Sequence, residues 1–382
     1  MKLFLRIFLV LLLAILLYNI WILAGVPKQH SIVTRAGVPA DAVVNFGADS
    51  GKGNIVGIQP HLTALNYANI PTFKESIKIY LLEARKKNLL NEKTVVVFPE
   101  YIGTWLVAYE QKESLYQKAS IEDAMKELVM TNIFKFTAEW LTAPDVKDKT
   151  KYAALAMKGK QAGLIYQEVF SALAQEFKVT IAAGSIVLPD PSISAEGKLV
   201  IKKGPLYNTA VVFNPDGKIA SPLVKKIYPV NDELSFTNSG EISQTPVINT
   251  PAGKMGLLVC ADSWYPGAYE KITPDVKMLV VPSLGGTDSI WNAPWKGYNG
   301  FKAPPDVDTA DYGKISEGDA WQKYSMGPRA VKAGVHYGMN VFFYGKIWDM
   351  KAEGRVLVLN KDSLTVLPPA TGGRIVNLWL NN

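Results

Sequence analysis

An α/β fold is predicted for this chain by three observations. Short apolar runs such as Ile55–Ile58 and Thr94–Phe98 read as strands buried on both faces. Between them Phe73, Ile77, Tyr80, Leu81 and Ala84 fall on one face of a helix, and the same alternation of periods resumes downstream. The composition has room for the core this requires, because 48% of the 382 residues are hydrophobic and only 20% are charged.

Residues 1–27 form a targeting segment. Lys2 and Arg6 precede an apolar run in which Asn19 is the only strongly polar residue, long enough to cross a hydrocarbon core of about 30 Å. Basic residues at the amino end place the body outside the cytoplasm, which in a Gram-negative source is the periplasmic side. A cleaved signal peptide is the rival reading. Tyr18, Trp21 and the lack of a small-x-small cleavage site favour a retained single-helix anchor. Residues 28–53, rich in Gly, Ala, Val and Asp without a period, read as a stem, and residues 54–382 as the catalytic body.

The net charge of +7 is dispersed in pairs such as Lys86-Lys87, Lys202-Lys203 and Lys225-Lys226. With no long basic run, nucleic-acid binding is not expected, and an anionic membrane surface is the better use of that charge. One cysteine forbids an intrachain disulfide, and three scattered histidines give no metal-ligand spacing, so neither metal nor cofactor is expected.

Within the body, Thr72 followed by Glu75 predicts a capping box at the start of the first helix. The strand Thr94–Phe98 then ends on Pro99-Glu100, a carboxylate at the carboxyl end of a buried strand, where ligands of α/β sheets bind. Residues 104–160 read as a helical insertion, with Ile121, Ala124, Met125, Leu128, Val129, Ile133, Phe136 and Trp140 in one wide stripe expected to pack on the body, the alternative being a stripe that lies on a membrane or gates the substrate. A helix over 162–177 follows, then strands at Val179–Val187, Leu199–Lys202 and Tyr207–Phe213, with Asn214-Pro215-Asp216-Gly217 as a turn.

Two further features carry chemistry. The lysine pair Lys225-Lys226, ordinarily a wetted surface feature, stands here between a strand and a proline-containing loop. After a hairpin at Pro246–Pro251, the run Gly256–Val259 delivers Cys260 to the end of a strand, followed by Asp262, Trp264 and Tyr265. A lone cysteine is often only a small buried hydrophobe; its position at a strand end makes it a candidate nucleophile.

Glu100, a lysine and Cys260, in that order, resemble the nitrilase superfamily of carbon-nitrogen hydrolases over roughly residues 54–350. Phe98-Pro99-Glu100 resembles the strand of the family's general base, Gly184-Ser185 and Tyr207–Ile219 the hairpin before the catalytic lysine, and Lys226-Ile227-Tyr228-Pro229 the lysine motif. Glu233 sits where a positioning carboxylate is seen, Cys260–Pro266 is similar to the nucleophile motif of amidase-like branches, and Met278–Ser283 with Arg329-Ala330 match the strand and helix that follow. The chain departs from the pattern at Tyr228, where histidine is usual, at Trp264, and at Lys332, which leaves the substrate open.

The resemblance implies an α-β-β-α four-layer sandwich and a Glu100-Lys226-Cys260 triad, with Lys225 as the alternative lysine one register away. It also implies Glu233 and the Ala261 N–H in support, and a homodimer through helices after the cysteine strand. The chemistry needs these types together: a thiol of pKa about 8.5 must lose its proton to attack a carbonyl, and the oxyanion then needs fixed donors. The loop 285–318, carrying Trp291, Trp295, Tyr298 and Phe301, is expected to form a lid. With Tyr101, Trp105, Trp264 and Tyr265 it would build an apolar substrate wall. The expected function is hydrolysis of a linear amide through a cysteine thioester. The alternatives are N-acyl transfer from a lipid donor to an amine acceptor, as in membrane-embedded branches of the superfamily, and a non-catalytic binding module.

Overall fold

The computed structural model of the chain describes residues 2–26, 40–242 and 247–381. Helix α1 (Lys2–Leu23) precedes the body. The body contains strands β1 (Ala40–Phe46), β2 (Asn54–Gln59), β3 (His61–Thr63), β4 (Thr94–Val97), β5 (Thr180–Ile193), β6 (Leu199–Phe213), β7 (Ile219–Lys225) and β8 (Val247–Thr250). It continues with β9 (Gly253–Leu257), β10 (Met278–Ser283), β11 (Tyr337–Phe342), β12 (Tyr344–Ile347), β13 (Met350–Glu353), β14 (Leu357–Asn360), β15 (Ser363–Val366) and β16 (Gly373–Trp379). The helices that matter here are α2 (Ile70–Lys86), α3 (Ile121–Thr131), α4 (Ile133–Leu141), α5 (Lys149–Phe177), α6 (Glu317–Tyr324) and α7 (Met326–Lys332).

Seven strands form one sheet in the order β1-β16-β2-β4-β5-β6-β7, and six form a second in the order β15-β14-β11-β10-β9-β8. Side chains alternate across a strand, and the first sheet uses both faces. Val56, Ile58, Val96 and Phe98 pack on α2 and α5 with Phe73, Ile77, Tyr80, Val169 and Phe170. Ile55, Val95 and Val97 face the second sheet and meet Leu257, Met278, Met339 and Val341. Trp321, Tyr324, Met326 and Ala330 of α6 and α7 join that second core. The molecule is therefore the α-β-β-α sandwich that was expected.

Several expectations are corrected. The α2 cap is Asn69, whose Oδ1 accepts the Thr72 N–H at 2.9 Å, so Thr72 lies inside the helix. The stem reading of residues 28–53 fails from residue 40 onward, because β1 pairs in parallel with β16 inside the first sheet; residues 28–39 lie outside the described residues. The segments Leu199–Lys202 and Tyr207–Phe213 are one continuous strand, β6. The hairpin expected at Pro246–Pro251 is β8 and β9, with Pro246 outside the described residues. The last strand, whose partner the sequence does not indicate, inserts between β1 and β2. The helical stripe of residues 121–140 packs on the body unevenly: Ala124 and Leu128 are buried, whereas in α4 Phe136 is half-buried against the cluster of Tyr152, Ala153 and Phe236 and no residue is fully buried.

Candidate active site

Glu100 follows β4, whose path continues through a bond from the Phe98 N–H to the Ala182 carbonyl at 2.9 Å. Gly184 makes the next turn possible. It has φ of +67°, and a Cβ there would lie 1.9 Å from the Pro99 carbonyl oxygen, closer than any side chain permits. Ser185 then accepts the Tyr101 N–H on its Oγ at 2.9 Å and clamps the loop that presents Glu100.

Lys225 and Lys226 sit at the end of β7, so their side chains point to opposite faces. Lys226 turns inward, almost fully buried, with Nζ 2.8 Å from Glu100 Oε1 and 2.6 Å from Glu233 Oε2. Lys225, the alternative candidate for the catalytic lysine, turns outward, 4.0 Å from Asp190 and over the Tyr207 ring, so that of the pair Lys226 is the one that meets Glu100. Glu233 lies in a short helical turn, where its Oε2 also accepts the Val230 N–H at 2.9 Å. Asn208 bridges the two carboxylates, its Nδ2 donating to Glu100 Oε1 at 2.8 Å and to Glu233 Oε1 at 2.9 Å.

Cys260 opens a 3-10 turn after β9 and carries φ of +48°, a left-handed conformation that costs a non-glycine residue about 1–2 kcal/mol. Its Sγ lies 3.7 Å from the Leu284 carbonyl oxygen, and the Leu284 N–H donates to Glu100 Oε2 at 2.9 Å. Asp262 ties the cysteine loop to the lysine loop: its Oδ1 accepts the N–H groups of Ile227 at 2.9 Å and Tyr228 at 2.7 Å, and its Oδ2 that of Val259 at 3.2 Å.

The electrostatics follow from burial. Burial pushes the Glu100 carboxyl up, Lys226 opposes the rise, and Glu233 adds to it. Burial would lower the Lys226 ammonium, but Glu100 and Glu233 hold it well above its ordinary value. In Glu233 burial is outweighed by Lys226, and the carboxyl lies below its usual range. The Cys260 thiol is pushed far up, first by burial and then by the Glu100 charge, with Lys226 opposing. Burial raises the Asp262 carboxyl to about 7 despite its N–H donors.

A cavity of about 660 Å³ opens over the sulfur. Cys260, Ala261, Trp264, Tyr265 and Trp291 line it, and Trp295 and Tyr298 of the long loop complete its aromatic wall. Arg329 braces that loop, bonding Asp306 at 3.0 Å and the Tyr324 carbonyl at 2.9 Å. Two expected wall residues lie elsewhere. The Tyr101 hydroxyl donates to Glu233 Oε1 at 2.8 Å, and Trp105 packs edge-on against Trp348. Neither lines the cavity, and Tyr101, at a turn with φ of +65°, joins the carboxylate-ammonium cluster behind it. Asn208, Ser185 and Asp262 belong to the cluster without having been expected as site residues, although Asp262 was noted beside Cys260. All three stand within quoted motifs, so a polar residue recurring inside each motif was the available signal. Leu284 takes part through its backbone alone and leaves no trace in residue type.

The chain belongs to the carbon-nitrogen hydrolase family, whose profile matches residues 55–296. It is 27% identical over 212 residues to the omega-amidase NIT3 of Saccharomyces cerevisiae, a match covering 51% of this chain and 68% of the yeast protein. Among solved structures it is similar to a mutant amidase of the nitrilase superfamily from Nesterenkonia AN1, with a TM-score of 0.51 at 12% identity over 86% of this chain and 92% of that one. The NitN amidase of the same organism gives a TM-score of 0.50, also at 12% identity, over 86% and 93% of the two chains. At that identity the likeness is one of fold.

Proposed function

We propose that this protein cleaves linear amides through a thioester on Cys260, with Glu100 as general base and acid and Lys226 as oxyanion donor. The convergence of a buried carboxylate, ammonium and thiol, drawn from strand ends far apart in sequence, carries this reading. Glu100 takes the thiol proton as sulfur attacks the carbonyl carbon. Two of the three Lys226 ammonium protons are committed to Glu100 and Glu233, which leaves the third, with the Ala261 N–H, for the developing oxyanion. Collapse breaks the C–N bond, and Glu100 returns its proton to the leaving amine. Water, deprotonated by Glu100, then attacks the thioester and releases the acid and the thiol. Glu233, Asn208 and Tyr101 position the carboxylate-ammonium pair.

The cavity lining favours an apolar or aromatic acyl group. Trp264, Tyr265, Trp291 and Trp295 surround the space beyond the sulfur, and Asp232, Glu317 and Asp349 outnumber Lys351 among its charged residues, which disfavours an anionic substrate. The apolar helix α1, long enough for a membrane anchor or signal sequence, supports an amphiphilic substrate and keeps N-acyl transfer as the second reading.

The test is turnover of full-length protein on aryl and long-chain primary amides, with and without an added amine. Free acid and ammonia from wild type, and none from Cys260→Ala, are expected; a new amide formed with the added amine would identify transfer. Full turnover by Cys260→Ala would remove the proposal.

A further inference from the structure

Among the described residues, the main exposed apolar feature of the body, apart from α1, is the outer face of α4. Phe134 and Leu141 are 66% and 70% exposed, and Met130, Ile133 and Trp140 are also open to solvent. At 3.6 residues per turn Ile133, Phe134, Trp140 and Leu141 share one face of the helix, with Lys135 and Glu139 on the other. A contiguous strip of this kind on a body of otherwise scattered exposed apolar residues marks a surface that is covered in use.

What covers it is indicated by α1, whose carboxyl end is docked on the same place. The Tyr18 hydroxyl donates to the Met130 carbonyl at 2.8 Å, and its ring stands edge-on to Phe134 at 5.7 Å. Lys112 binds the Trp21 carbonyl at 3.0 Å and lies over the Trp21 ring at 4.0 Å, while the Glu113 N–H donates to the Gly25 carbonyl at 2.8 Å. The strip is thus continuous with the end of the apolar helix, at the depth where tyrosine and tryptophan mark a membrane boundary. Lys149 stands 5.9 Å over the Trp140 ring, a pairing suited to headgroups at the edge of the hydrocarbon.

We infer that α4 is an in-plane membrane helix, with its Ile133–Leu141 face immersed in the lipid interface and fixing the body against the bilayer beside α1. The occupant is the boundary of acyl chains and headgroups, the lysines giving a preference for anionic lipid. The inference rests on α1 being retained as an anchor. It has a consequence for the cavity: α3, about 16 Å long at about 1.5 Å per residue, runs from the docking site to Asp349 on the cavity wall, which accepts the Ile121 N–H at 2.8 Å. The mouth of the site is then held near the membrane surface, where an amphiphilic amide resides.

The single native cysteine makes the test direct. In full-length Cys260→Ser protein, nitroxide labels are placed one at a time through Phe134→Cys, Leu141→Cys, Glu122→Cys and Leu12→Cys, and the protein is reconstituted in phosphatidylglycerol–phosphatidylcholine vesicles. Collision rates with oxygen and with a water-soluble nickel chelate report immersion. Labels at 134 and 141 are expected to meet oxygen several-fold more than nickel, and the label at 122 the reverse. Nickel access at 134 and 141 equal to that at 122 overturns the inference, as does exclusion of both reagents, which would mean that protein covers the strip. A label at 12 in water overturns the inference as well, because α4 is placed beside an α1 that spans the membrane. None of these outcomes depends on turnover, so failure here and failure of the amidase reading are separable.

Discussion

Lys226 stands between two carboxylates with almost no access to water, and each group is tolerable there only because of the others. Lys226→Met leaves Glu100 and Glu233 facing each other uncompensated. Its amidase kcat is expected to fall by about 10²–10³, the scale of a lost oxyanion donor, and its stability to drop by roughly 3–5 kcal/mol. An unchanged melting temperature in this variant would mean that the cluster is not the buried ion network described. Because burial and the Glu100 charge both hold the Cys260 proton on sulfur, the resting enzyme is expected to lack the thiolate absorbance near 240 nm up to pH 9. A thiolate step near neutrality, absent in Cys260→Ala, would contradict this. Glu100, Lys226 and Cys260 were legible in the sequence because each ends a recognisable apolar run. Between Lys225 and Lys226 only the resemblance of Lys226–Pro229 to a family motif favoured Lys226; side-chain pattern did not, since adjacent strand residues differ only in the face they take, and that face depends on register.

At the scale of elements, the site is a meeting of loops held by small, specific contacts. Gly184→Ala would drive a methyl group into the Pro99 carbonyl at a positive φ, and a loss of roughly 1–3 kcal/mol is expected. Activity should fall further than stability does, because the displaced loop carries Glu100. A variant that melts and turns over like wild type would show that the loop does not need this close approach. Asp262 joins the lysine and cysteine loops with a carboxyl raised to about 7 from its ordinary 3.8. An unfolded aspartate is ionised above about pH 4, so between pH 4 and 7 the folded protein holds a proton that the unfolded chain does not. The stability tied to that proton is full below about pH 4 and is lost as pH rises through 7. Denaturation midpoints should accordingly fall more steeply over that interval in wild type than in Asp262→Asn; parallel profiles would rule the linkage out. Periodicity revealed α2 and the buried strands. The Asn69 cap competed with an equally plausible Thr72, and β6 looked like two strands because Lys202, Lys203 and Gly204 interrupt an apolar pattern that only the long pairing with β5 sustains.

For the whole molecule, the layered sandwich could be read from the alternation of strand and helix, but its closure could not. β16 completes the first sheet by pairing with β1 and β2, strands more than three hundred residues upstream, and no local property of the chain announces a partner at that distance. Periodicity likewise could not choose between body and membrane as the cover of the helical stripe, because an amphipathic pattern shows that a face will be covered and not by what. With α1 retained, the full chain is expected to stay in the membrane pellet after alkaline carbonate extraction; release of a shortened chain would show that residues 1–27 are a removed signal. The central claim is that Cys260 carries the acyl group. Rapid acid quenching of wild-type protein during turnover of an aryl amide, followed by peptide mass measurement, tests it most directly. The Cys260 peptide is expected to gain the mass of the acyl moiety, and the same peptide should stay unmodified in Glu100→Gln or Lys226→Met protein. Sustained turnover with no acyl mass on Cys260 and the adduct on another residue would contradict the account.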